Sequence, residues 1–561
     1  MLCKMIFSLS ISNFSLQNNV VQGVLIGSFI YNIRGNINTT LNALRLAKTL
    51  VFFSKHVNIY SIFQKQIQIG FNLLCLVPAV SRETNKQLDD TRNTLKSEMN
   101  KYNIEIVDLL TRKIPISVMP HNSVEPHYIL ESLKRMRNWE DEKINRSKIS
   151  GTIYSRDKDK ITELINQVFS MYYKTNPLHP DIFPSLRSIE TWIIRYTLRL
   201  YNAPLGSKAS ITSGGTESIF LACKAYRDFY KKAYPEIIVP ITAHPAFDKA
   251  CDCLGIKLRK VPIEYNTSGG SSKLDLSYYR SLINENTILL VGSAPSFPHG
   301  EIDPMREICK IAESYKLPVH MDACLGGFIL PFLNSYSGIE DRYDFSMSGI
   351  TSISADFHKY GLTEKGISIV MYNNEKYINS QYFVYPDWCG GIYATNTLLG
   401  SRPGSIMAIT WATILCRGYS YYKELANEIV MSTRYLAIEL SKIKNISVIG
   451  HLELLTNVVA FTTKDFDIYT LNDELKQKGW NLNPLQFPSS LHLCITEANC
   501  SRDNLDVFIR DVKMAFEKCS VEYDGVAPED GGSIYGTSQK ITNRSLVSSV
   551  AKMYLDSLYF S

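Results

Sequence analysis

The sequence predicts an α/β protein. A large domain with a mainly parallel sheet covered by helices leads into a smaller α+β domain, and a leader and a helical arm precede both. Three observations carry this. Between Ser210 and Tyr372, β-prone runs alternate with helical patterns, the order that builds parallel sheets. Chemistry-bearing residues follow several of those runs, at the strand ends where open α/β sheets bind ligands. The texture of the chain changes near residue 82 and again near residue 436.

A chain of 561 residues, 45% hydrophobic and 20% charged, is ordinary globular material and long enough for two or more domains. Sixty Lys and Arg against 54 Asp and Glu give +6, without strong basic clusters in the core, so nucleic-acid binding is disfavoured. The twelve cysteines form no CxxC, and Cys251 and Cys253 are the only close pair. That usage fits reduced, cytosol-facing thiols better than a disulfide framework or a zinc site, and no metal is expected.

Residues 1–82 read as a leader and a possible membrane anchor. Met5 to Ile33 has no Asp, Glu, Lys or Arg, although Asn and Gln dilute it. Arg34, Arg45, Lys48 and Lys55 follow, which by the positive-inside rule places the downstream chain in the cytosol. Gln66 to Val80 is a second apolar stretch. Residues 83–150 are polar with a helical pattern and read as a connecting arm.

The large domain is expected over 151–435. Strand-like runs are Ser210 to Thr212, Ile237 to Ile241, Ile288 to Val291 and Ile367 to Tyr372. A helix after Gly215 places Ile219, Phe220, Cys223 and Tyr226 on one face. Asp303-Pro304 starts another, with Ile308, Ile311, Ala312 and Tyr315 inward. Asn266 to Ser272 reads as a flexible surface loop. In the small domain, 436–561, Val458 to Thr462 and Leu491 to Thr496 are strand candidates. Ile468, Leu471 and Leu475 mark a helix stopped by Gly479, and Leu505, Phe508, Ile509 and Val512 mark another.

Lys359 carries the chemistry. It follows an apolar run ending in Ile353, with Gly361 two residues on as a flexible glycine. A lysine amine there can form a Schiff base with a carbonyl. Three upstream segments give it meaning. Gly214, Gly215 and Thr216 open a helix, where paired glycines and free N–H groups cradle an anion such as phosphate; an ordinary helix start reads the same way. His244 follows the run ending in Ile241, where an imidazole can stack on a flat ring or serve structurally. Asp322 ends a buried run and suits a pyridinium N–H, a helix cap or a metal, with His320 as the only nearby second ligand. Phosphate cradle, ring stacker, pyridinium partner and lysine in that order point to a pyridoxal 5'-phosphate enzyme.

The chain resembles the sphingosine-1-phosphate lyase family, in the fold type I group that also holds amino-acid decarboxylases. The stretches that carry the likeness are Gly151-Thr152-Ile153-Tyr154-Ser155, Asn176 to Pro184, Thr212 to Asp228, Phe297-Pro298-His299-Gly300, Asp322 to Phe328, Ser352 to Gly361, Asp387 to Ala394, Gly400 to Gly404 and Lys478 to Asn483. The resemblance implies retro-aldol cleavage of a phosphorylated sphingoid base to a long-chain aldehyde and phosphoethanolamine; an amino-acid decarboxylase of the same cofactor group is the alternative. It also implies that Tyr154, His179 and Lys365 line the substrate end, relaying a hydroxyl proton or pairing with the substrate phosphate. His358 is implied to help hold the cofactor phosphate, and Ser401 to reach the neighbouring subunit's cofactor in a homodimer with shared sites. An endoplasmic-reticulum membrane anchor with the catalytic part facing the cytosol is likewise implied. Two departures fall beside the lysine: Phe357 stands where the family has threonine, and Leu362-Thr363-Glu364 replaces its Tyr-x-Pro before Lys365-Gly366.

Overall fold

The computed structural model describes residues 118–156, 161–268, 270–333, 341–522 and 544–559, with residues 104–110 and scattered positions between 86 and 114. Two compact units divide the chain: residues 1–129 with 540–561, and residues 130–539. The leader 1–82 lies outside the described residues. Among the described residues, no helix is long and apolar enough to cross a membrane.

Seven strands form the main sheet of the second unit. They are β1 (Lys208–Thr212), β2 (Glu236–Pro240), β3 (Lys257–Val261), β4 (Thr287–Ser293), β5 (Val319–Asp322), β6 (Ile350–Asp356) and β7 (Ser368–Tyr372). Their order across the sheet is β1-β7-β6-β5-β4-β2-β3. Strand β7 runs antiparallel to both β1 and β6, and the other pairs are parallel. Strands β2, β4, β5 and β7 are buried along their whole length, as expected of strands covered on both faces.

The helices follow the predicted patterns. Helix Gly215–Tyr230 buries Ile219, Cys223 and Tyr226, with Phe220 packed alongside. Helix Met305–Tyr315 buries Ile308 and Ala312, but Tyr315 is 42% exposed and lies 5.6 Å beneath the Arg280 guanidinium instead of in the core. Asn266 is held more firmly than a free loop residue: its side chain accepts from Ser268 N–H, and its carbonyl accepts from Gly450 N–H.

The helical stretch Gly404–Ser441 is broken at Gly418 (φ +70°, ψ 170°), and its second helix runs past residue 435 and leads from the main sheet to a four-stranded antiparallel sheet. That sheet, Ile446–Ile449, Val458–Thr463, Ser490–Cys494 and Asn483–Leu485, is backed by helices Ile468–Gln477 and Arg502–Glu522. Leu471, Leu475, Leu505, Phe508 and Val512 are fully buried in the shared core, while Ile509 is nearly so. Gly479 stops the first of these helices in the left-handed region, φ +84°. The arm ends in helix Pro126–Lys143, whose residues are mostly exposed.

Candidate active site

The main sheet sends β1, β5 and β6 to one locus. Strand β6 ends at Asp356, and the turn after it carries His358 and Lys359. Lys359 Nζ lies 2.8 Å from Asp356 Oδ2. Burial alone would lower the lysine; the Asp356 carboxylate outweighs it and leaves the amine raised and protonated. Burial would likewise raise Asp356, yet Lys359 and His358 hold it below the ordinary carboxylate value. Gly361 is not needed for flexibility. A Cβ there would strike the Phe357 carbonyl oxygen and lie 2.9 Å from Phe357 Cα, so close backbone approach requires glycine.

The glycine pair sits directly against this locus. A Cβ on Gly215 would lie 2.8 Å from Cys324 Sγ and 3.0 Å from Asp356 Oδ1, and one on Gly214 would touch the His358 ring at 3.6 Å. Helix hydrogen bonding begins with Ser218 N–H on Gly214 O, so the N–H groups of Gly215, Thr216 and Glu217 remain available to an anion. His358 Nδ1 and Asp356 Oδ1 are buried without a protein partner. An anion-seeking helix start, an orphaned imidazole nitrogen facing it and a lysine beside it fit a phosphorylated aldehyde cofactor.

Asp322, at the end of β5, is buried. Its Oδ1 accepts from Cys324 N–H at 3.0 Å and from Ser354 Oγ at 3.2 Å, which fixes the carboxylate and leaves Oδ2 for a ring N–H. His320 is no ligand, since both its nitrogens are engaged by Ser352 and Ser354 at 2.8 and 3.2 Å. His244 is exposed beyond the end of β2, with Nδ1 accepting from Ala246 N–H at 3.1 Å. That bond places the ring proton on Nε2 and leaves the ring face as what the residue offers.

The other wall comes from the small domain. Ser150 Oγ accepts from Cys494 N–H and from Asn483 Nδ2, and pins the segment after the arm to strand Ser490–Cys494. Gly151 and Thr152 then turn through the left-handed region, φ +62° and +59°, and deliver Tyr154 to the lysine. Tyr154 packs edge-on to Tyr360 at 5.1 Å, and Lys365 Nζ stands 4.7 Å over its ring. Burial, then Cys494, pushes the phenol up, so it keeps its proton. Desolvation and the Lys359 charge push the Lys365 amine down.

Of the predicted residues, Lys359, Tyr154, Lys365, His358, Gly214, Gly215 and Asp322 thus come together, with Thr216 exposed at the same helix start. His179 and Ser401 do not join them. They occupy a second patch, where Asn176 Nδ2 donates to Ser401 Oγ at 3.0 Å and Asn176 O accepts from His179 N–H at 3.2 Å. Phe357 turns away into the core, 5.1 Å from Phe328, so that departure does not face the lysine. Leu362 is buried at φ +57°, a strained setting for a branched side chain.

A model of the pyridoxal-dependent decarboxylase conserved domain matches residues 156–464. Rat sphingosine-1-phosphate lyase 1 is 40% identical over 498 residues, 87% of this chain and 84% of the rat protein. The Dictyostelium discoideum sphingosine-1-phosphate lyase is 38% identical over 84% of this chain and 88% of its own. The chain belongs to the sphingosine-1-phosphate lyase family. A solved structure of the Burkholderia pseudomallei family member superposes with a TM-score of 0.67 at 31% identity, over 73% of this chain and 94% of that one. Lactobacillus brevis glutamate decarboxylase shares the fold, with a TM-score of 0.62 at 22% identity. The fold is that of fold type I, and the cofactor is pyridoxal phosphate.

Two residues at this family site escape sequence reasoning. Asp356, the ion-pair partner of Lys359, precedes it by three residues at a strand end, a spacing that could have revealed it. Cys324 lines the cradle from the stretch after Asp322, and nothing local marks it.

Proposed function

We propose that this chain cleaves a phosphorylated sphingoid base between carbons 2 and 3, releasing a long-chain aldehyde and phosphoethanolamine. The observation that carries the reading is Lys359, paired to Asp356 at the cradle, with Tyr154 and Lys365 stacked beside it. The sphingosine-1-phosphate lyases among its relatives support the substrate class.

Gly214, Gly215, Thr216 and His358 would hold the cofactor phosphate, Asp322 its ring nitrogen and His244 its ring face. Bound there, pyridoxal phosphate supplies the electron sink for breaking a bond to the amine-bearing carbon. Lys365, with its lowered pKa, takes the proton of the carbon 3 hydroxyl, and the protonated Tyr154 phenol orients that oxygen. Lys359 returns a proton to carbon 2, and Asp356 stabilises its charge.

The working unit is a homodimer with shared sites. Supporting this, His179 and Ser401 stand apart from the lysine within one chain. The neighbouring hairpin, Phe383–Tyr385 with Tyr393–Thr395, also leaves Val384 (59%), Trp388 (51%) and Ile392 (77%) exposed. The leader anchors the enzyme to the endoplasmic-reticulum membrane, catalytic part in the cytosol; the uncharged stretch before Arg34 supports this.

Incubation with sphingosine 1-phosphate and separately with glutamate tests the reaction. Cleavage of the first alone supports it, and decarboxylation of the second alone refutes it.

A further inference from the structure

We propose that Glu217 is a positioning residue that links the two cofactor sites of the dimer, so that filling one tightens the other. The proposal rests on the dimer reading above, in which Ser401 completes the partner's site.

Glu217 lies in the first turn of helix Gly215–Tyr230 and is only 6% exposed. One carboxylate oxygen accepts from Ser213 N–H at 2.6 Å, and the other from Leu398 N–H at 2.8 Å. The first bond is ordinary helix capping. The second is not, since it crosses from the phosphate cradle to the segment that leads into the Ser401 turn.

Two further ties make this connection stiff. Gln381 Nε2 donates to Ser210 Oγ in β1 at 3.0 Å and to Asn396 O at 2.5 Å. Arg402, its side chain 8% exposed, donates to Glu190 at 2.8 Å and to Ile211 O in β1 at 3.2 Å. Residues 396–402 are therefore fastened to β1 at Ile211, to Glu217 at the start of helix Gly215–Tyr230 and to Glu190 in helix Pro184–Leu200, by bonds that each involve an ionised group. Asn176 also donates to Ser401 Oγ and accepts from Arg402 N–H, while Leu398 (61%) and Leu399 (42%) leave their side chains exposed.

A phosphate in the cradle orders the N–H groups of Gly215 and Thr216, and with them the loop that Glu217 caps. Glu217 passes that order to Leu398, and so to Ser401. Ordering achieved by the first cofactor need not be repeated for the second, which is positive linkage between sites.

The test is titration of the apo protein with pyridoxal phosphate, followed by absorbance and calorimetry, with sedimentation velocity alongside, for the wild type and Glu217→Gln. Glutamine keeps one acceptor oxygen for a backbone N–H and turns an NH2 toward the other, so the cap or the link is cut while the helix persists. The wild-type dimer should bind its second cofactor about fivefold more tightly or better, and the Glu217→Gln dimer should show two equal, independent sites. A wild-type dimer with independent sites overturns the linkage while leaving the dimer intact, and needs no variant. A Glu217→Gln isotherm that overlays the cooperative wild type also overturns it. A chain that stays monomeric through the titration overturns the dimer reading, and the linkage with it.

Discussion

Lys359 and Asp356, three residues apart at the end of β6, form an ion pair of 2.8 Å in which the carboxylate is 2% and the lysine side chain 23% exposed. The pair poses the reactive amine without cofactor. It also makes Asp356 the residue on which the charge of Lys359 depends.

Asp356→Asn should destabilise the cofactor-free protein by about 3 kcal/mol at neutral pH, the scale for removing one partner of a buried pair. The lysine is raised in the fold, so its share is complete below its ordinary 10.5 and fades as pH climbs beyond it. The carboxylate is lowered, so its share is complete above its ordinary 3.8 and fades as pH falls through its lower folded value. Denaturant unfolding across pH should show the gap between wild type and variant widest in the interval between these limits. A gap that does not vary with pH would mean the pair contributes packing only.

Lys365→Met removes the group assigned to the carbon 3 hydroxyl. Because desolvation and Lys359 lower this amine, wild-type kcat/KM should rise with pH as Lys365 loses its proton. The variant should lose about 10²-fold or more in kcat and the rising limb with it. Persistence of the limb would assign it to another group.

Asp322→Asn should retain cofactor, since Cys324 N–H and Ser354 still hold the side-chain oxygen. An amide cannot stabilise a protonated ring nitrogen, so turnover should drop by about 10²-fold or more. Near-normal turnover with bound cofactor would make the carboxylate structural.

Mixing Lys359→Ala with Ser401→Arg subunits probes the shared sites, given that each homodimer is inactive. A hybrid dimer gathers both lesions in one site and leaves the other whole, so activity should recover toward half. Confirmed hybrids without recovery would mean that each chain builds its own site.

Much of this site is legible in the sequence, because the cradle, Asp322 and Lys359 each pair a residue type with a strand or helix boundary, and the family resemblance adds His358. What was not legible depends on contacts distant in sequence. Cys324 matters because Gly215 has no Cβ to displace it; Tyr154, which the family resemblance names but no local pattern does, reaches the site because Ser150 is pinned to strand Ser490–Cys494. Gly361 reads as a flexible residue until the Phe357 carbonyl is seen against it. The Tyr315 periodicity fits an inward face, yet the ring comes at the last turn of its helix, where it covers itself beneath Arg280 instead. Phe357 reads as a change beside the lysine, and only the fold turns it toward Phe328.

The most direct measurement is a product balance. Purified holoenzyme is incubated with sphingosine 1-phosphate, and aldehyde and phosphoethanolamine are quantified by mass spectrometry beside Lys359→Ala. The account predicts the two products in equal amounts from the wild type and none from the variant. Unconsumed substrate with fully loaded wild-type enzyme, or equal cleavage by Lys359→Ala, would contradict it.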